Sequence, residues 1–119
     1  MLADDHAVMR QALRSILEHN TDVTVVGEAT DGIEAVSMAV ALSRDIIIVD
    51  VNMPRMDGIE ATRQIKSKRP TIIVIGLTVI DSKLVTEAME AAGAEVVLLK
   101  DASEQLHEAI KALVQRGTS

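Results

Sequence analysis

The stretch Ile-Ile-Ile-Val-Asp at residues 46–50 places the tightest constraint on how this chain can fold. Four consecutive aliphatic residues with no polar residue among them are typical of a strand buried on both faces, as in a parallel sheet between two helix layers. Asp50 stands where this strand is predicted to end, and Pro54 and Gly58 then favour a loop that leads into a helix. Ligand-binding residues of open α/β sheets gather at the carboxyl ends of strands. Asp50 is therefore the first candidate site residue.

The remainder of the chain alternates between apolar runs, which predict strands, and apolar residues at helical spacing, which predict helices. The predicted strands cover residues 1–3, 23–26, 46–50, 72–77 and 96–99; the predicted helices cover residues 7–19, 33–42, 59–69, 81–92 and 103–115, the last capped by Ser103. Residues 28–32 are predicted to form a turn and residues 117–119 a tail. Five (βα) repeats predict one α/β domain with a doubly wound, parallel, five-stranded sheet of order 2-1-3-4-5 and a shortened first strand.

Composition and charge exclude several function classes. The chain has no aromatic residue, so its core must be aliphatic, and its net charge of −6 argues against binding nucleic acid through phosphates. The absence of cysteine excludes a disulfide framework, a thiol nucleophile and a cysteine-based zinc site. No apolar stretch approaches the roughly 18 residues of a membrane span. We expect a cytoplasmic protein with no membrane contact.

Polar residues stand at the predicted ends of four strands: Asp4 and Asp5, Asp50, Thr78, and Lys100. In a sheet of order 2-1-3-4-5 the first and third strands are neighbours, so three carboxylates are expected to converge. Like charges so close are unfavourable unless a cation lies between them, and oxygen ligands suit Mg²⁺. An aspartate can also be phosphorylated to an acyl phosphate, whose oxygens a lysine ammonium and a threonine hydroxyl would bind.

Each of these residues also has an ordinary structural explanation. Asp4 and Asp5 alone would favour the start of a helix, Thr78 is of a type common at strand ends, and Lys100 alone would be a solvated charge. Their combination favours the metal and phosphoryl roles over these alternatives. His6, beside the two acids, is interpreted as a surface residue at a helix start and not as a ligand.

Four segments carry a resemblance to a known family. They are Leu-Ala-Asp-Asp-His at residues 2–6, the Asp-x-x-Met-Pro-x-x-Asp-Gly motif at residues 50–58, Thr78, and Leu-Leu-Lys-Asp at residues 98–101. Over its whole length the chain resembles a response-regulator receiver domain, which implies a CheY/flavodoxin-like fold. The resemblance implies that Asp50 is the phosphoacceptor. The implied Mg²⁺ ligands are the carboxylates of Asp5 and Asp50, the backbone carbonyl of Asn52 and, mainly through water, Asp4; the implied phosphoryl-binding residues are Thr78 and Lys100.

Two further segments, Gly-Glu-Ala at residues 27–29 and Asp-Gly-Ile-Glu-Ala at residues 31–35, resemble the NarL/FixJ type of two-component transcription factors. The resemblance implies a sensor histidine kinase as phosphoryl donor, homodimers as a further expectation, and DNA contact only through a separate C-terminal helix-turn-helix domain. Residues 1–116 would be the receiver domain and residues 117–119 the start of a linker. The domain would not be an enzyme, beyond assisting its own phosphorylation and dephosphorylation at Asp50.

The chain departs from the family pattern in two places. Receiver domains usually have several more residues before the acid pair, whereas only Met1, Leu2 and Ala3 precede it here, so either the chain is a piece or the domain has a short first strand. The family also usually has Tyr or Phe two or three residues before the lysine, where this chain has Val97 and Leu98. The aromatic element of the switch is therefore absent.

Three alternative functions follow from these departures and from the fold class. A pseudo-receiver, an interaction module without useful phosphorylation, would fit the short first strand and the missing aromatic. A flavodoxin-like redox carrier would need a Ser/Thr/Gly-rich phosphate loop after the first strand and aromatic residues against a flavin, and the chain has neither. An enzyme acting on small acyl phosphates would need a general acid and a lid segment, and the sequence suggests neither.

Overall fold

The computed structural model describes residues 1–19, 25, 27–42, 46–53 and 55–118; for residues 42, 102–104, 107 and 114–118 it describes the backbone alone. The strands are β1 Leu2–Ala3, β2 Glu28–Ala29, β3 Ile46–Asp50, β4 Ile73–Thr78 and β5 Val96–Leu99. The helices are α1 Ala7–Glu18, α2 Gly32–Leu42, α3 Gly58–Lys68, α4 Lys83–Ala92 and α5 Leu106–Thr118, with a 3₁₀ segment at Lys100–Gln105 before α5. Within the described residues, no helix is both long enough and apolar enough to cross a bilayer.

The five strands form one parallel sheet in the order β2-β1-β3-β4-β5, which confirms the predicted topology and the shortened first strand. The central strand β3 is buried on both faces because its side chains alternate between two aliphatic clusters, with Ile47 and Val49 in one and Ile48 in the other. Residues of α2, α3 and α4 belong to the first cluster, and residues of α1 and α5 belong to the second. The sheet therefore lies between two helix layers, as a continuous apolar strand requires.

The short strand β1 keeps its place because the residues on either side of it also form hydrogen bonds with the neighbouring strands. The amide of Leu2 donates to Gly27 O at 3.0 Å, and the amide of Asp4 donates to Ala29 O at 3.0 Å. On the other side, the amide of Ile48 donates to the carbonyl of Met1 at 2.8 Å. The hydrogen bonding between β1 and its two neighbouring strands thus extends beyond both ends of β1 and holds Asp4 at the end of the strand.

One predicted element was wrong. Strand β2 is Glu28–Ala29, inside the stretch predicted to be a turn. Its residues pair in register with Leu2 and Ala3, and Ala29 is fully buried. This long-range pairing overrides the weak strand preference of glutamate and alanine. Of the strand predicted at residues 23–26, Val25 belongs to no strand, and Val23, Thr24 and Val26 lie outside the described residues.

The other differences are shifts of element ends. The fourth helix begins at Lys83 because Ser82 caps it, and Thr78, predicted to follow β4, is the last residue of that strand. The last helix begins at Leu106, since the predicted start at Ser103 lies in the 3₁₀ segment, and it continues to Thr118 through residues predicted as a tail. The side chain of Ser103, predicted to cap the helix, lies outside the described part of the chain, as does Pro54.

The contact of α4 with the sheet provides a test of the core. Met89 is fully buried, and the position of a Cβ on Gly76 of β4 would lie 2.7 Å from its terminal methyl carbon. We expect Met89→Ala to lower the free energy of unfolding by about 2–5 kcal/mol, because it removes buried methylene contacts and leaves a cavity. The matched control is Leu84→Ala on the same helix, where the side chain is 79% exposed. Urea denaturation of both variants should show a loss for Met89→Ala alone; equal losses would contradict this packing.

Candidate functional site

Three of the predicted site residues meet at the carboxyl edge of the sheet. Asp4 follows β1, Asp50 ends β3 and Lys100 follows β5. The ammonium nitrogen of Lys100 lies 2.9 Å from Asp4 Oδ2 and 3.2 Å from Asp50 Oδ2. All three side chains are withdrawn from solvent, with exposed fractions of 2%, 3% and 9% for Asp4, Asp50 and Lys100. A single buried cation thus lies between two buried carboxylates.

The charges in this cluster perturb one another. The pKa of Asp50 is raised above its ordinary value, chiefly by burial and secondly by the negative charge of Asp4, while Lys100 and the amide of Asn52 act in the opposite direction. Burial lowers the pKa of Lys100, but its hydrogen bond to Asp4 and the charges of both carboxylates outweigh burial and leave that pKa raised. The lysine is therefore held as a cation between the two acids.

Each carboxylate oxygen of Asp4 and Asp50 has a contact within the described part of the chain. Asp4 Oδ1 accepts the amide of His6 at 2.8 Å, and Asp50 Oδ1 accepts the amide of Asn52 at 3.2 Å. Asp4 Oδ2 and Asp50 Oδ2 are buried, and the cation that both contact is the ammonium group of Lys100. Buried carboxylate oxygens are costly unless a donor or a cation satisfies them, and Lys100 does so for both.

Four neighbouring residues could hold a metal cation. Asp4, Asp5, His6 and Asp50 each offer one ligand atom, and these four atoms all lie within 4.8 Å of one another. The oxygen donors of the three aspartates fit Mg²⁺, which binds through one or two carboxylates and keeps several waters. His6 was predicted to be a surface residue; its side chain is 69% exposed, yet its ring nitrogen Nδ1 lies 3.1 Å from Asp5 Oδ1.

The β3–α3 loop folds tightly against Asp50. The amide of Val51 donates to Leu77 O at 2.9 Å and continues the pairing of β3 with β4. The amide of Gly58, at the start of α3, donates to the carbonyl of Val51 at 2.7 Å. A Cβ at Gly58 would lie 2.2 Å from the carbonyl oxygen of Asp50, so only glycine fits this approach. The loop is therefore positioned by backbone contacts close to the candidate phosphoacceptor.

An ion pair that the sequence analysis missed ties the same loop to α2. Arg55 adopts the left-handed backbone conformation with φ of 65° and pairs with Asp31, which is 3% exposed and accepts the amide of Glu34 at 2.8 Å. A Cβ at Gly32 would lie 2.0 Å from the carbonyl oxygen of Met56. Asp31 at a predicted helix start was a signal for a cap, but nothing in the sequence indicated a partner 24 residues away.

A second residue that the sequence analysis missed contacts the backbone of Asp4. Arg10 of α1 donates from Nη1 to the carbonyl oxygen of Asp4 at 2.7 Å and from Nε to Glu28 Oε1 at 2.9 Å. Arg14 also donates to Glu28, at 2.7 Å through Nη2. These contacts connect α1, the end of β1 and β2. An arginine on the polar side of a predicted helix gave no signal of this role.

The two remaining predicted site residues lie at the same edge but make other contacts. Thr78, 2% exposed, accepts the amide of Ile80 through its hydroxyl at 3.2 Å, and this hydroxyl lies 3.4 Å from Ile80 O. Its described hydrogen bonds are thus to the β4–α4 loop and not to Asp50. Asn52 is exposed and contributes its amide to Asp50. The phosphoryl role of Thr78 and the metal role of the Asn52 carbonyl stay predictions.

Comparison with known proteins now identifies the chain. A family model described as the response regulator receiver domain matches residues 1–111. The chain belongs to this family. As a receiver domain it is a regulatory module, and the predicted resemblance to the NarL/FixJ type of transcription regulators is confirmed.

Two relatives and one solved structure show the range of proteins that contain a similar domain. The chain is 43% identical over 105 residues to the transcriptional regulatory protein YdfI of Bacillus subtilis, covering 88% of this chain and 49% of YdfI. It is 36% identical over 118 residues to a protein-glutamate methylesterase/protein-glutamine glutaminase of Methanosarcina acetivorans, covering 98% of this chain and 34% of that protein. A structure described as the receiver domain of the NarL response regulator from Mycobacterium tuberculosis has a TM-score of 0.90 at 28% identity, covering 96% of this chain and 93% of that one. The chain thus spans half or less of the curated relatives named here.

The contact of Asp31 with Arg55 predicts a specific dependence of stability on pH. The pKa of Asp31 is lowered, first by the amide of Glu34 and then by Arg55. A lowered folded-state pKa stabilises the fold above the unfolded pKa of about 3.9, and this contribution is lost as the pH falls through the folded-state value. Asp31→Asn keeps the capping oxygen but loses the charge, so we expect it to be less stable than wild type at pH 7. The difference should shrink as the pH falls below about 4.

The control for this experiment is Asp57→Asn. Asp57 caps α3 by accepting the amide of Glu60 at 2.9 Å, and asparagine caps helices about as well as aspartate. Urea denaturation should leave this variant close to wild type, because the capping oxygen is kept. A stability difference for Asp31→Asn that did not depend on pH would contradict the role of its charge.

Proposed function

We propose that this receiver domain is a phosphorylation-controlled switch in which Asp50 accepts a phosphoryl group from a phosphohistidine of a sensor histidine kinase. The observation that carries the proposal is Lys100, whose ammonium group bridges two buried carboxylates at 2.9 and 3.2 Å. A buried lysine beside a candidate nucleophile is suited to bind the new phosphoryl oxygens as a compact charge. The domain would assist its own phosphorylation and dephosphorylation and act on no other substrate.

The transfer exchanges one phosphorus bond for another. A carboxylate oxygen of Asp50 attacks phosphorus, the bond between phosphorus and the donor's imidazole nitrogen breaks, and that nitrogen keeps the electron pair and later takes a proton from water. The product is an acyl phosphate on Asp50. Reactions of this kind depend on positioning and charge stabilisation more than on covalent chemistry by the protein.

The acids fit a Mg²⁺ ion, which would offset the charge on the transferring phosphoryl group when bound. Asp5 and Asp50 would hold it through their carboxylates, Asn52 through its backbone carbonyl and Asp4 mainly through water. The close grouping of the three carboxylates, whose ligand atoms lie within 4.8 Å of one another, supports this assignment. With the ion bound, Lys100 would be released from part of its pairing with the acids and could turn to the phosphoryl oxygens.

The output of the switch would pass through Thr78. Its hydroxyl would have to leave Ile80 to bind a phosphoryl oxygen, and the bonds it breaks belong to the β4–α4 loop, in which Val79 and Ile80 are 67% and 55% exposed. Phosphorylation would thereby change the loop before α4 and the surface formed by α4 and β5. Val97 packs against one aliphatic cluster and Leu98 against the other. Since neither residue is aromatic, neither provides an aromatic side chain that could swing inward.

The whole protein is proposed to be a cytoplasmic transcription regulator. Residues 1–116 would form the receiver and residues 117–119 the start of the linker, here still helical at residues 117 and 118, to a separate helix-turn-helix domain that contacts DNA. Homodimers of the receiver would be a further part of this output. The net charge of −6 supports leaving DNA contact to a separate domain. YdfI, of which the chain covers 49%, is a transcriptional regulatory protein, and this similarity favours the proposed output.

A pseudo-receiver that binds partners without phosphorylation is the second candidate. It is favoured by the ion pairs of Lys100, which already give the buried acids a counter-charge without any added ion. The two candidates differ in whether the site responds to Mg²⁺ and to phosphoryl donors, and two experiments distinguish them.

The first experiment is phosphorylation by acetyl phosphate, followed by intact mass measurement. We expect wild type to gain one phosphoryl group only when Mg²⁺ is present, because Mg²⁺ offsets charge during the transfer. Asp50→Asn should gain none, and the control Asp57→Asn, changed in the same loop at an exposed cap, should behave as wild type. Failure of folded wild type to gain mass, or labelling of Asp50→Asn, would contradict Asp50 as phosphoacceptor.

The second experiment is thermal denaturation with and without Mg²⁺. Binding to the folded state should stabilise wild type by about 1.4 kcal/mol when Mg²⁺ is ten times its dissociation constant. Asp50→Asn should respond less because it lacks one carboxylate ligand. Absence of any Mg²⁺ effect on wild type up to millimolar concentrations would favour the pseudo-receiver.

A further inference from the structure

We propose that a second copy of this chain docks on the groove between α2 and α3, so that two domains form an antiparallel two-fold dimer through these helices. The inference goes beyond the proposed function, because this contact requires neither phosphorylation nor a metal ion. The residues that form the groove are different from those of the charged cluster at the end of the sheet.

Helix α2 is unusually apolar for a helix at a protein surface. Of its eleven residues only Glu34 and Ser37 have polar side chains. The residues of its outer side, spaced four apart, are Ile33, Ser37 and Ala41; all three are exposed and none is charged. A surface helix ordinarily presents charged and polar residues on the side opposite the core. The outer side of α2 is therefore suited to contact with protein more than with water.

An open groove of about 400 Å³ runs between α2 and α3. Its apolar lining consists of Ile33, Val36, Val40 and Met56, and its α3 wall carries Gln64 and Lys68. At the C-terminal end of α3, Arg69 crosses the groove and donates from Nη2 to the carbonyl oxygen of Val40 at 3.2 Å. Covering such an apolar lining with another apolar surface releases water and is favourable.

The α3 wall of the groove carries charges of opposite sign at its two ends. Glu60, Gln64 and Lys68 are spaced four residues apart and so lie on one side of α3, where the side-chain amide of Gln64 donates to Glu60 Oε2 at 3.3 Å. Glu60 and Lys68 are about 12 Å apart along the helix axis, with Gln64 midway. Glu60 also pairs with Arg63, yet its side chain stays 41% exposed, and Lys68 is exposed. Both charges can therefore meet a partner.

The same surface, turned through a two-fold axis, matches this arrangement of charges. In an antiparallel pair of grooves with Gln64 near the axis, Glu60 of each copy faces Lys68 of the other, as an isologous interface requires. A parallel pair would set like charges against each other. A partner with charge of one sign, such as a nucleic acid or an anionic membrane, would match only one end of the wall.

The net charge of the chain does not oppose this contact locally. A chain with a net charge of −6 repels its own copies on average. Helices α2 and α3 together carry two glutamates and three basic residues, so the face that they form is not acidic. Self-association is therefore less unfavourable here than at the acidic parts of the surface.

The first test is sedimentation equilibrium of the tag-free, unphosphorylated chain. We expect the average mass of wild type to rise from 12.8 kDa towards twice that value as the concentration increases to about 1 mM. Lys68→Glu and Glu60→Lys should each weaken the dimer by about tenfold or more, because each sets like charges together at both ends of the symmetric interface. The control Lys83→Glu reverses a charge that is 89% exposed on α4 and should dimerise as wild type does.

Mixing the two weakened variants separates a loss of contact from a loss of folding. Lys68→Glu has two acids along its groove wall and Glu60→Lys has two bases, so an equimolar mixture should form a heterodimer about as stable as the wild-type dimer. Circular dichroism melts first establish that both variants fold. A wild type that stays monomeric, a mixture that does not associate, or equal weakening by Lys83→Glu would each overturn the proposal.

Thiol cross-linking tests the position of the axis without changing a charge. The chain has no cysteine, so Gln64→Cys introduces a single thiol near the proposed axis. A short bis-maleimide should join two copies of Gln64→Cys in much higher yield than two copies of the control Leu84→Cys, whose position on α4 is 79% exposed. Equal yields, or a higher yield for the control, would overturn the proposed interface. The phosphoacceptor proposal is tested separately by the labelling of Asp50 and does not depend on these results.

Discussion

The organisation of this domain depends on one electrostatic arrangement, a single lysine ammonium held between two buried aspartates. Asp4 and Asp50 come from neighbouring strands, and burial alone would make two adjacent carboxylates strongly unfavourable. Lys100 reaches both across the sheet edge and makes the arrangement tolerable. Three aspartates share this edge of the sheet with one lysine, a composition that suits the cation binding proposed for the site.

The backbone around the cluster is shaped to keep the acids in place. The two-residue strand β1 is extended by hydrogen bonds of its flanking residues, and Arg10 binds the carbonyl of Asp4 from the side of α1. On the other side, Gly58 lies against the carbonyl of Asp50. Backbone contacts on both sides thus fix the positions of Asp4 and Asp50. Such a site is suited to binding with little reorganisation.

Two sets of contacts connect the site to the rest of the domain. Thr78 connects the end of β4 to the exposed β4–α4 loop through Ile80. Arg55 connects the β3–α3 loop to the start of α2 through Asp31. The first contact suits the proposed switch without an aromatic side chain, in which the hydroxyl itself would exchange a loop contact for a phosphoryl contact. The second holds the loop that carries Asn52 against a rigid helix.

The sequence by itself determined the fold class, the topology and the residues of the charged cluster. Continuous aliphatic runs such as residues 46–49 can be satisfied only between two helix layers, and the carboxyl ends of parallel strands must share one edge. The sequence alone therefore predicts that Asp4, Asp50 and Lys100 lie close together. The same local patterns gave most helix ends, because apolar spacing at the helical period acts within a few residues.

Only the tertiary structure decided the features that depend on contacts between distant segments. Strand β2 lies at Glu28–Ala29 because these residues pair with β1, although their own preference is not for a strand. The pairing of Asp31 with Arg55 and the contact of Arg10 with Asp4 join residues that no local pattern connects. The place of His6 within reach of two carboxylates was decided in the same way, since adjacency in sequence does not fix the direction of a ring. Local patterns describe what a residue prefers, whereas long-range packing determines which atoms it meets.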